Sequence, residues 1–366
     1  EAGWISGAFF FGYIFSTPFL VGLTDSYDSK KVYFISSLIG SIGLVLFALF
    51  ANGFYSALLM WSIVGAGFAG TYMPGLQILN ERLDSKGKEK YVSVYTAFFG
   101  LGTAASFFIL GILKEYNLDW NYGFLIVASF QLFSGIPIIL FSGPRVETKP
   151  YVRFSGILKI LKSIYNVFKN KKAMPYIIGY GGHTYELFGY RAWTFACVVF
   201  LSSNYNVNLS NIFIANFLAV IGLTGIFSSI IGAQYCIGKN RPLIISYMGL
   251  ICFFGSIVTA FSFWINLYLA LLFIFIYNIL IIMDSGSLTT GTVLNGSSED
   301  RGSRLALHSI IGFFGGALGG PVVGLALDSF GGENSKLSWS VGFVALGLGS
   351  LLSSYVLKKN SKFNLK

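Results

Sequence analysis

The chain has 366 residues, of which 54% are hydrophobic and 11% are charged, and it carries a formal net charge of +10. A soluble domain has roughly 25% charged residues because its surface faces water. The composition therefore excludes an ordinary soluble protein and predicts a surface that largely faces lipid. The basic residues fall in short segments between apolar runs, so we expect no nucleic acid partner.

The cysteines are widely spaced and form no CxxC pair: Cys197, Cys236 and Cys252. We therefore expect neither a disulfide framework nor a zinc site, and no other cofactor. The sequences GxxxxGK[ST], GxSxG and HExxH do not occur, so an ATP-driven pump or an enzyme is not expected.

Apolar runs of 18 or more residues indicate transmembrane helices, because about 20 residues cross the roughly 30 Å of hydrocarbon in a bilayer. Helices are required, since lipid offers no partners for backbone N–H and C=O groups. The predicted fold class is an all-α polytopic membrane protein. We predict eleven spans, near residues 3–23, 32–51, 55–79, 91–113, 120–142, 175–202, 211–236, 242–262, 266–290, 305–327 and 337–357.

The basic residues are distributed unequally between alternate loops. Of the 25 Lys and Arg residues, 22 fall in one set of loops and in the C-terminal tail. Lys114 and Lys336 lie in the other set, and Arg191 lies inside a span. Cytoplasmic loops carry the excess of Lys and Arg. We therefore expect the basic side and the C-terminus to be cytoplasmic, in a bacterial inner (plasma) membrane.

The longest loop divides the spans into five and six. We predict an N-terminal half at 1–142, a cytoplasmic linker at 143–174, a C-terminal half at 175–357 and a tail at 358–366. The linker segment Phe154–Phe168 has an amphipathic pattern, which predicts a helix lying in the inner interface. A regulatory or lipid-sensing helix is the alternative.

The two halves show an internal repeat. A displacement of 213 residues lays Tyr95–Gly111 over His308–Gly324, and a weaker match places Asp25–Lys31 opposite Cys236–Arg241. Parallel repeats are typical of transporters, whose binding site lies between the repeats.

The first cytoplasmic loop, VGLTDSYDSKK, resembles the loop signature of the major facilitator superfamily. Leu23, Asp25, Lys30 and Lys31 stand at the spacing of that signature, although Ser26 stands where the family has Arg. In the second copy, GAQYCIGKNR, a cysteine replaces the acid. The resemblance covers the whole chain. It implies a twelve-helix transporter fold with these charged residues in a cytoplasmic gating loop.

In that family the loop follows helix two, so the resemblance implies that helix one is missing and eleven helices are present. The chain begins at Glu1, and its first methionine is Met60, which agrees with this interpretation. The resemblance also implies that Asp25 lies near the start of helix eleven, around Arg304, where a helix dipole favours negative charge. A turn-forming Asp in a solvated loop is the alternative.

Glycines recur in the span at 305–327, at a period of four and beside it: Gly312, Gly316, Gly320 and Gly324, with Gly315 and Gly319. Small residues let a second helix approach closely. The GGPVVG stretch also resembles part of the family's antiporter signature, with close packing alone as the alternative.

Ionisable residues inside spans are energetically expensive and are therefore candidate functional groups. The resemblance assigns two spans to helices seven and ten, which line the family's central cavity, and these carry His183, Glu186, Arg191 and Asp284. The 213-residue displacement relates Thr71 to Asp284, so we expect both to approach that cavity. We interpret these five residues as candidates for substrate binding or coupling.

Each candidate has a structural alternative. Glu186 and Arg191 form a pair in one interpretation, although a spacing of five puts them about 140° apart on a helix. His183 and Glu186 share a face, which suits either a hydrogen bond or a proton relay. For Asp284, the alternative to a transport role is that it caps backbone groups. For His308, the alternative is that it packs at a helix interface.

The hypothesis for function is a secondary active transporter that moves a small solute by alternating access, either proton-coupled or exchanging. The stretch GGHTYELFGYRAW is similar to bacterial carriers of small anions, the cyanate and nitroimidazole group. We expect Arg191 to attract an anion with its fork of donors, and Glu186 with His183 to handle a coupled proton. The alternative is a channel or facilitator without ion coupling. We expect a monomer in the lipid bilayer.

Overall fold

The computed structural model describes residues 1–82, 85–143, 162, 164–296 and 301–361. The description is limited to the helical backbone at residues 21–22, 25–26, 73, 76, 80–81, 85–98 and 301–302. Most of the predicted linker helix at 154–168 lies outside the described residues. Within that range, residues 162 and 164–167 are described as helical.

The described residues form twelve helices and contain no strand. In chain order the helices are α1 (Ala2–Ser26), α2 (Ser29–Phe50), α3 (Phe54–Arg82), α4 (Ser85–Glu115), α5 (Trp120–Phe141), α6 (Met174–Asn204), α7 (Asn211–Tyr235), α8 (Arg241–Ser262), α9 (Leu267–Ile282), α10 (Ser285–Leu294), α11 (Arg301–Ser329) and α12 (Lys336–Ser361).

A helix occupies each of the eleven positions at which the sequence predicts a span, with α9 and α10 sharing one position. Within the described ranges, eight spans are long and apolar enough to cross a membrane, counting α9 and α10 together. Helices α1, α4 and α6 have 25, 31 and 31 residues but fall outside that set. The all-α membrane fold class is confirmed, whereas eleven crossings and a missing first helix remain predictions.

Large apolar side chains lie on the outside of the helices. Phe15 is 75% exposed and Phe141 is 80% exposed, and similar residues recur along most helices. Soluble monomers rarely expose extensive apolar surface. This surface is therefore suited to lipid, as expected of an integral membrane protein.

The described residues divide into two compact units. The N-terminal unit comprises residues 8–102 and 116–163, and the C-terminal unit comprises residues 1–7, 103–115 and 164–366. In the N-terminal unit, α2 packs against α3 and α5.

In the C-terminal unit, α6 packs against α11 and α12, and α8 packs against α12 and α9. The buried core consists of aliphatic and aromatic residues from these helices and α7, among them Leu201, Ile214, Cys252, Ile274 and Phe343. Helix α6 therefore has neighbours along its length, which explains how it can bury the polar side chains that it carries.

Helices α9 and α10 are separated by Met283 and Asp284, with Asp284 at the N-cap position of α10. A Cβ added at Gly232 of α7 would lie 1.9 Å from the carbonyl oxygen of Met283, so the backbone of α7 abuts the interruption. Ser287 Oγ donates to the carbonyl of Gly232 at 3.3 Å. The interruption is thus held between helices inside the C-terminal unit.

The glycines of α11 bring its backbone against that of α6. A Cβ added at Gly315 would lie 2.0 Å from the carbonyl oxygen of Gly181, and one at Gly319 would lie 2.1 Å from that of Tyr185. At Gly324 the nearest atom is a side-chain carbon of Trp193, at 3.4 Å. The closest backbone contacts with α6 thus come from Gly315 and Gly319, rather than from the glycines that recur every four residues.

We predict that Gly319→Ala destabilises the protein by about 1–3 kcal/mol, the usual effect of overpacking, because the new methyl group meets backbone that cannot rotate away. Gly324→Ala is the matched control and should be neutral or stabilising, since alanine is the better helix former. Thermal unfolding in detergent measures both. Equal melting temperatures for the two variants would contradict the packing described for α6 and α11.

The start of α2 is fixed by an acidic cap. Asp28 is the N-cap residue, and its Oδ1 accepts the backbone N–H of Lys30 at 3.0 Å. The same oxygen lies 2.6 Å from Nη2 of Arg82, at the end of α3, and Arg82 Nε donates to the carbonyl of Gly143 at 2.9 Å. Burial would raise the pKa of Asp28, but the bonds from Lys30 and Arg82 outweigh it and hold that pKa below its ordinary value of 3.8.

We predict that Asp28→Asn lowers stability at neutral pH by about 1 kcal/mol, because asparagine still caps the helix but loses the ion pair. A lowered folded-state pKa contributes stability above the unfolded value, and this is lost as pH falls through the folded value. The difference from wild type should therefore shrink below pH 3.8. Asp119→Asn is the control, since Asp119 caps α5 without a side-chain hydrogen bond. A pH-independent difference for Asp28→Asn would refute the ion pair.

Candidate functional site

Three of the polar candidates of the C-terminal half lie on α6, and the fourth, Asp284, contacts that helix. His183 and Glu186 are buried on this helix, at 2% and 0% exposure, and Asp284 is buried at the interruption between α9 and α10, at 3% exposure. Arg191 is partly buried, one turn or more further along α6. These four side chains belong to one compact unit, but they separate into distinct contact groups.

Glu186 is surrounded by uncharged hydrogen-bond donors from three other helices. Its Oε1 accepts from Tyr277 of α9 at 2.5 Å and from the Cys252 thiol of α8 at 3.4 Å. Its Oε2 accepts from Ser350 of α12. Among the described residues, neither Arg191 nor His183 bonds to this carboxyl. The contacts therefore join Glu186 to α8, α9 and α12 inside the helix bundle.

His183 lies against Asp284 instead. Nδ1 of His183 is 2.8 Å from Oδ1 of Asp284. The two atoms are at ion-pair distance but not in hydrogen-bond alignment, and neither has a hydrogen-bond partner among the described residues. The side chain of Asp284 does not cap α10, although its backbone carbonyl accepts the N–H of Leu288 at 2.9 Å. This contact joins α6 to the interruption between α9 and α10.

The ring of Tyr180 contacts both histidines, His183 and His308. Tyr180 is stacked on His308, with ring centroids 3.8 Å apart, and it is also stacked near His183, with centroids 5.7 Å apart. His308 lies within 3.1 Å of Thr292 Oγ1 and 3.4 Å of Thr289 Oγ1, both on α10. His308 is therefore packed at the interface of α6, α10 and α11, as the structural alternative expected.

Arg191 is on the same helix and has a different environment. Its guanidinium carbon lies 5.9 Å from the centroid of the Phe188 ring. The next turn is fixed by Trp193, whose Nε1 donates to the carbonyl of Gly320 at 2.8 Å. The cation is thus positioned on α6 beside an aromatic ring, without an ion pair to Glu186.

Thr71 is 8% exposed, and its Oγ1 donates to the carbonyl of Phe68 one turn back on α3 at 3.0 Å. Its equivalence to Asp284 stays a prediction. The three residues assigned to a gating loop lie in helices, Asp25 at the end of α1 and Lys30 and Lys31 at the start of α2, so their gating role stays a prediction. Lys30 contributes its backbone N–H to the Asp28 cap, and Lys31 is exposed. The side chain of Asp25 lies outside the described residues, so its implied contact near helix eleven stays a prediction.

Three residues that donate to Glu186 were not predicted from the sequence, because they carry no charge. Tyr277, Cys252 and Ser350 are uncharged residues on different spans, and only the fold brings them to Glu186.

Arg304 was noticed in the sequence as a cation of a predicted short loop, but its burial was not expected. It is 0% exposed and donates from Nε and Nη2 to the carbonyls of Thr292 and Val293 at 3.2 and 3.1 Å.

The described residues contain no group of three His, Cys, Asp or Glu side chains that could hold a metal ion. The His183–Asp284 contact joins a histidine and a carboxyl group at a buried position. Arg191 can contribute a fixed positive charge.

The family model described as Major Facilitator Superfamily matches residues 1–295. An uncharacterized transporter of Buchnera aphidicola subsp. Schizaphis graminum (strain Sg) is 23% identical over 254 residues, which are 67% of this chain and 57% of that protein. The chain thus spans less than two thirds of that relative's length.

Solved transporters share the fold at low sequence identity. A bacterial homologue of the human lysosomal transporter Spinster, inward-facing and unoccupied, gives a TM-score of 0.78 at 14% identity, over 100% of this chain and 90% of that one. The nucleoside transporter NupG gives 0.73 at 14%, over 98% and 89% of the two chains. The Escherichia coli fucose:proton symporter FucP gives 0.61 at 15%, over 96% and 90%.

These relatives are transporters rather than enzymes, and the polar helices described above belong to a fold that they share. Because the family model covers most of the sequence, this membrane protein belongs to the major facilitator superfamily of transporters.

Proposed function

We propose that the protein is a proton-coupled carrier of a small anionic solute that works by alternating access, with His183 and Asp284 as the proton-binding pair. The observation that carries this proposal is the buried contact of 2.8 Å between His183 Nδ1 and Asp284 Oδ1 at the interruption between α9 and α10.

The energetics of burial favour a switch at this contact. A charge inside a bundle that lies in lipid is tolerated when an opposite charge or a proton neutralises it. The pair is neutral overall both as His⁺ with Asp⁻ and as neutral His with protonated Asp. Binding one further proton leaves a net positive charge, and losing one leaves a net negative charge. Either change weakens the contact that joins α6 to α10.

The position of the contact supports a role in transport. Breaks in helices are common at the substrate and ion sites of secondary transporters. Asp284 stands at a slight break, where Met283 and Asp284 keep right-handed helical backbone angles, and its side chain is not used as a helix cap. Glu186 is less suited to the proton role, since three donors already bind its carboxyl.

Arg191 is the candidate for binding the solute. It is the basic residue that the charge distribution predicts inside a span. Arg304 is also buried, near the start of α11, but it donates to the carbonyls of Thr292 and Val293. A guanidinium binds carboxylate-like groups with two parallel hydrogen bonds and keeps its charge at any physiological pH. The fold is compatible with proton coupling, because the structurally similar FucP is described as a fucose:proton symporter. An exchanger, and a channel or facilitator without coupling, are the alternatives.

The proton role predicts that Asp284→Asn separates exchange from accumulation. In proteoliposomes, the labelled anion that wild type exchanges is first chosen from formate, acetate, cyanate and nitrate. Asp284→Asn should retain counterflow but lose uptake driven by a pH gradient by about tenfold or more, which corresponds to about 1.4 kcal/mol of coupling.

Two controls belong to this experiment. Asp328→Asn removes an exposed acid of α11 and should behave as wild type. Glu186→Gln should keep the wild-type pH dependence if the protein folds. If Asp284→Asn accumulates the anion in response to a pH gradient as wild type does, the proposed pair is excluded. If wild type shows no counterflow but lets the label equilibrate rapidly, the protein is instead a channel.

The solute role predicts that Arg191→Lys weakens binding although the charge is kept. Lysine lacks the planar fork of donors, so the concentration for half-maximal counterflow should rise by about tenfold. Lys336→Gln, at the start of α12, is the control and should leave it unchanged. Wild-type affinity in Arg191→Lys would remove Arg191 from the binding site.

A further inference from the structure

The C-terminal unit contains a cavity of about 450 Å³ where α8 begins and α10 ends. Its walls come from the loop before α8, the ends of these two helices and the start of α6, and they include Tyr176, Lys239, Asn240, Arg241 and Asn295. These residues lie on the side to which the basic loops are assigned. The cavity is separate from the His183–Asp284 pair and does not depend on the proposed coupling.

In the N-terminal unit, a helix start and a helix end are joined by an ion pair. There the N-cap residue of α2, Asp28, contacts Arg82 at the end of α3. The N-cap residue of α8 is the neutral Asn240, and the neutral Asn295 stands at the end of α10. The helix start and the helix end that line the cavity thus carry no carboxylate.

Positive charge remains at this place. Nη1 of Arg241 is buried and has no hydrogen-bond partner among the described residues. Lys239 lies with its Nζ 3.5 Å from the centroid of the Tyr235 ring. Arg241 is also the first residue of α8, whose N-terminal dipole favours an anion.

The described residues of the cavity offer these cations no negative partner. None of the residues that line the cavity is acidic. The last carbonyls of α10, at Thr292 and Val293, accept from Arg304, and the carbonyl of Asn295 accepts from Asn170 at 2.8 Å. The helix end that would otherwise oppose an anion is thus neutralised.

We propose that this cavity binds a phosphate group, which supplies the negative charge that the carboxylate of Asp28 supplies in the N-terminal unit. Arg241 and Lys239 supply charged donors suited to phosphate oxygens. The group can come from free inorganic phosphate or from the headgroup of an anionic lipid in the inner leaflet, since both present the same oxygens.

Binding is measured on the purified full chain with two probes. Inorganic phosphate is titrated in detergent at constant ionic strength against chloride, with the melting temperature as readout, because a ligand that binds the folded state stabilises it. Retention of phosphatidylglycerol against phosphatidylcholine is measured by native mass spectrometry after extraction from vesicles of equal parts of each lipid.

We expect at least one probe to bind, with affinity reduced about tenfold in both Arg241→Gln and Lys239→Gln, as expected for loss of a charged hydrogen bond. Lys359→Gln removes an exposed charge at the end of α12 and is the matched control, with affinity unchanged. Stabilisation by phosphate identifies the free anion, and selective retention of phosphatidylglycerol alone identifies the lipid headgroup.

Asn240→Asp gives a test that preserves the fold, because Asp and Asn are equally good N-caps. It restores the carboxylate found at the N-cap of α2 and should weaken binding of the same probe without lowering the melting temperature. If neither probe binds wild type, or if binding is the same in Arg241→Gln and Lys239→Gln as in wild type, the proposed site does not exist.

Discussion

Hydrocarbon provides no hydrogen-bond partners, and this constraint governs how many of the buried polar groups of the described helices are placed. Hydroxyl groups answer it by donating to backbone carbonyls, as Ser41 does to Ala128 between α2 and α5 at 2.9 Å. Glu186 answers it with three uncharged donors from three helices. His183 and Asp284 lie at ion-pair distance from each other but form no hydrogen bond. The polar groups of the spans thus hold helices together as well as being tolerated there.

The two buried carboxyl groups of this region are satisfied to different degrees, and this difference underlies the functional argument. Glu186 has a donor for each oxygen, so a change in its charge would disturb contacts with α8, α9 and α12 at once. Asp284 has one close partner, a histidine, and it stands between α9 and α10. A change of charge there acts on a single contact between α6 and an interrupted helix, which is the simpler switch.

The sequence predicted the positions of the helices, because long apolar runs are a direct signal of spans. It also predicted the burial of His183, Glu186 and Asp284, since an ionisable residue in such a run must point inward. Their partners could not be predicted, because Tyr277, Cys252 and Ser350 are unremarkable residues of other spans. The loop signature drew attention to Asp25, whereas the described ion pair at the start of α2 uses Asp28. The cavity beside Arg241 was not predicted, because the walls come from segments that are far apart in the sequence.

The central claim is that the His183–Asp284 pair changes its proton occupancy when the solute binds. The most direct measurement adds the transported anion to the purified carrier in weakly buffered detergent and follows the pH with a soluble dye. The account predicts a pH change on binding that is lost in Asp284→Asn and retained in Glu186→Gln. Binding of the anion without a pH change in wild type, or an unchanged signal in Asp284→Asn, would contradict it.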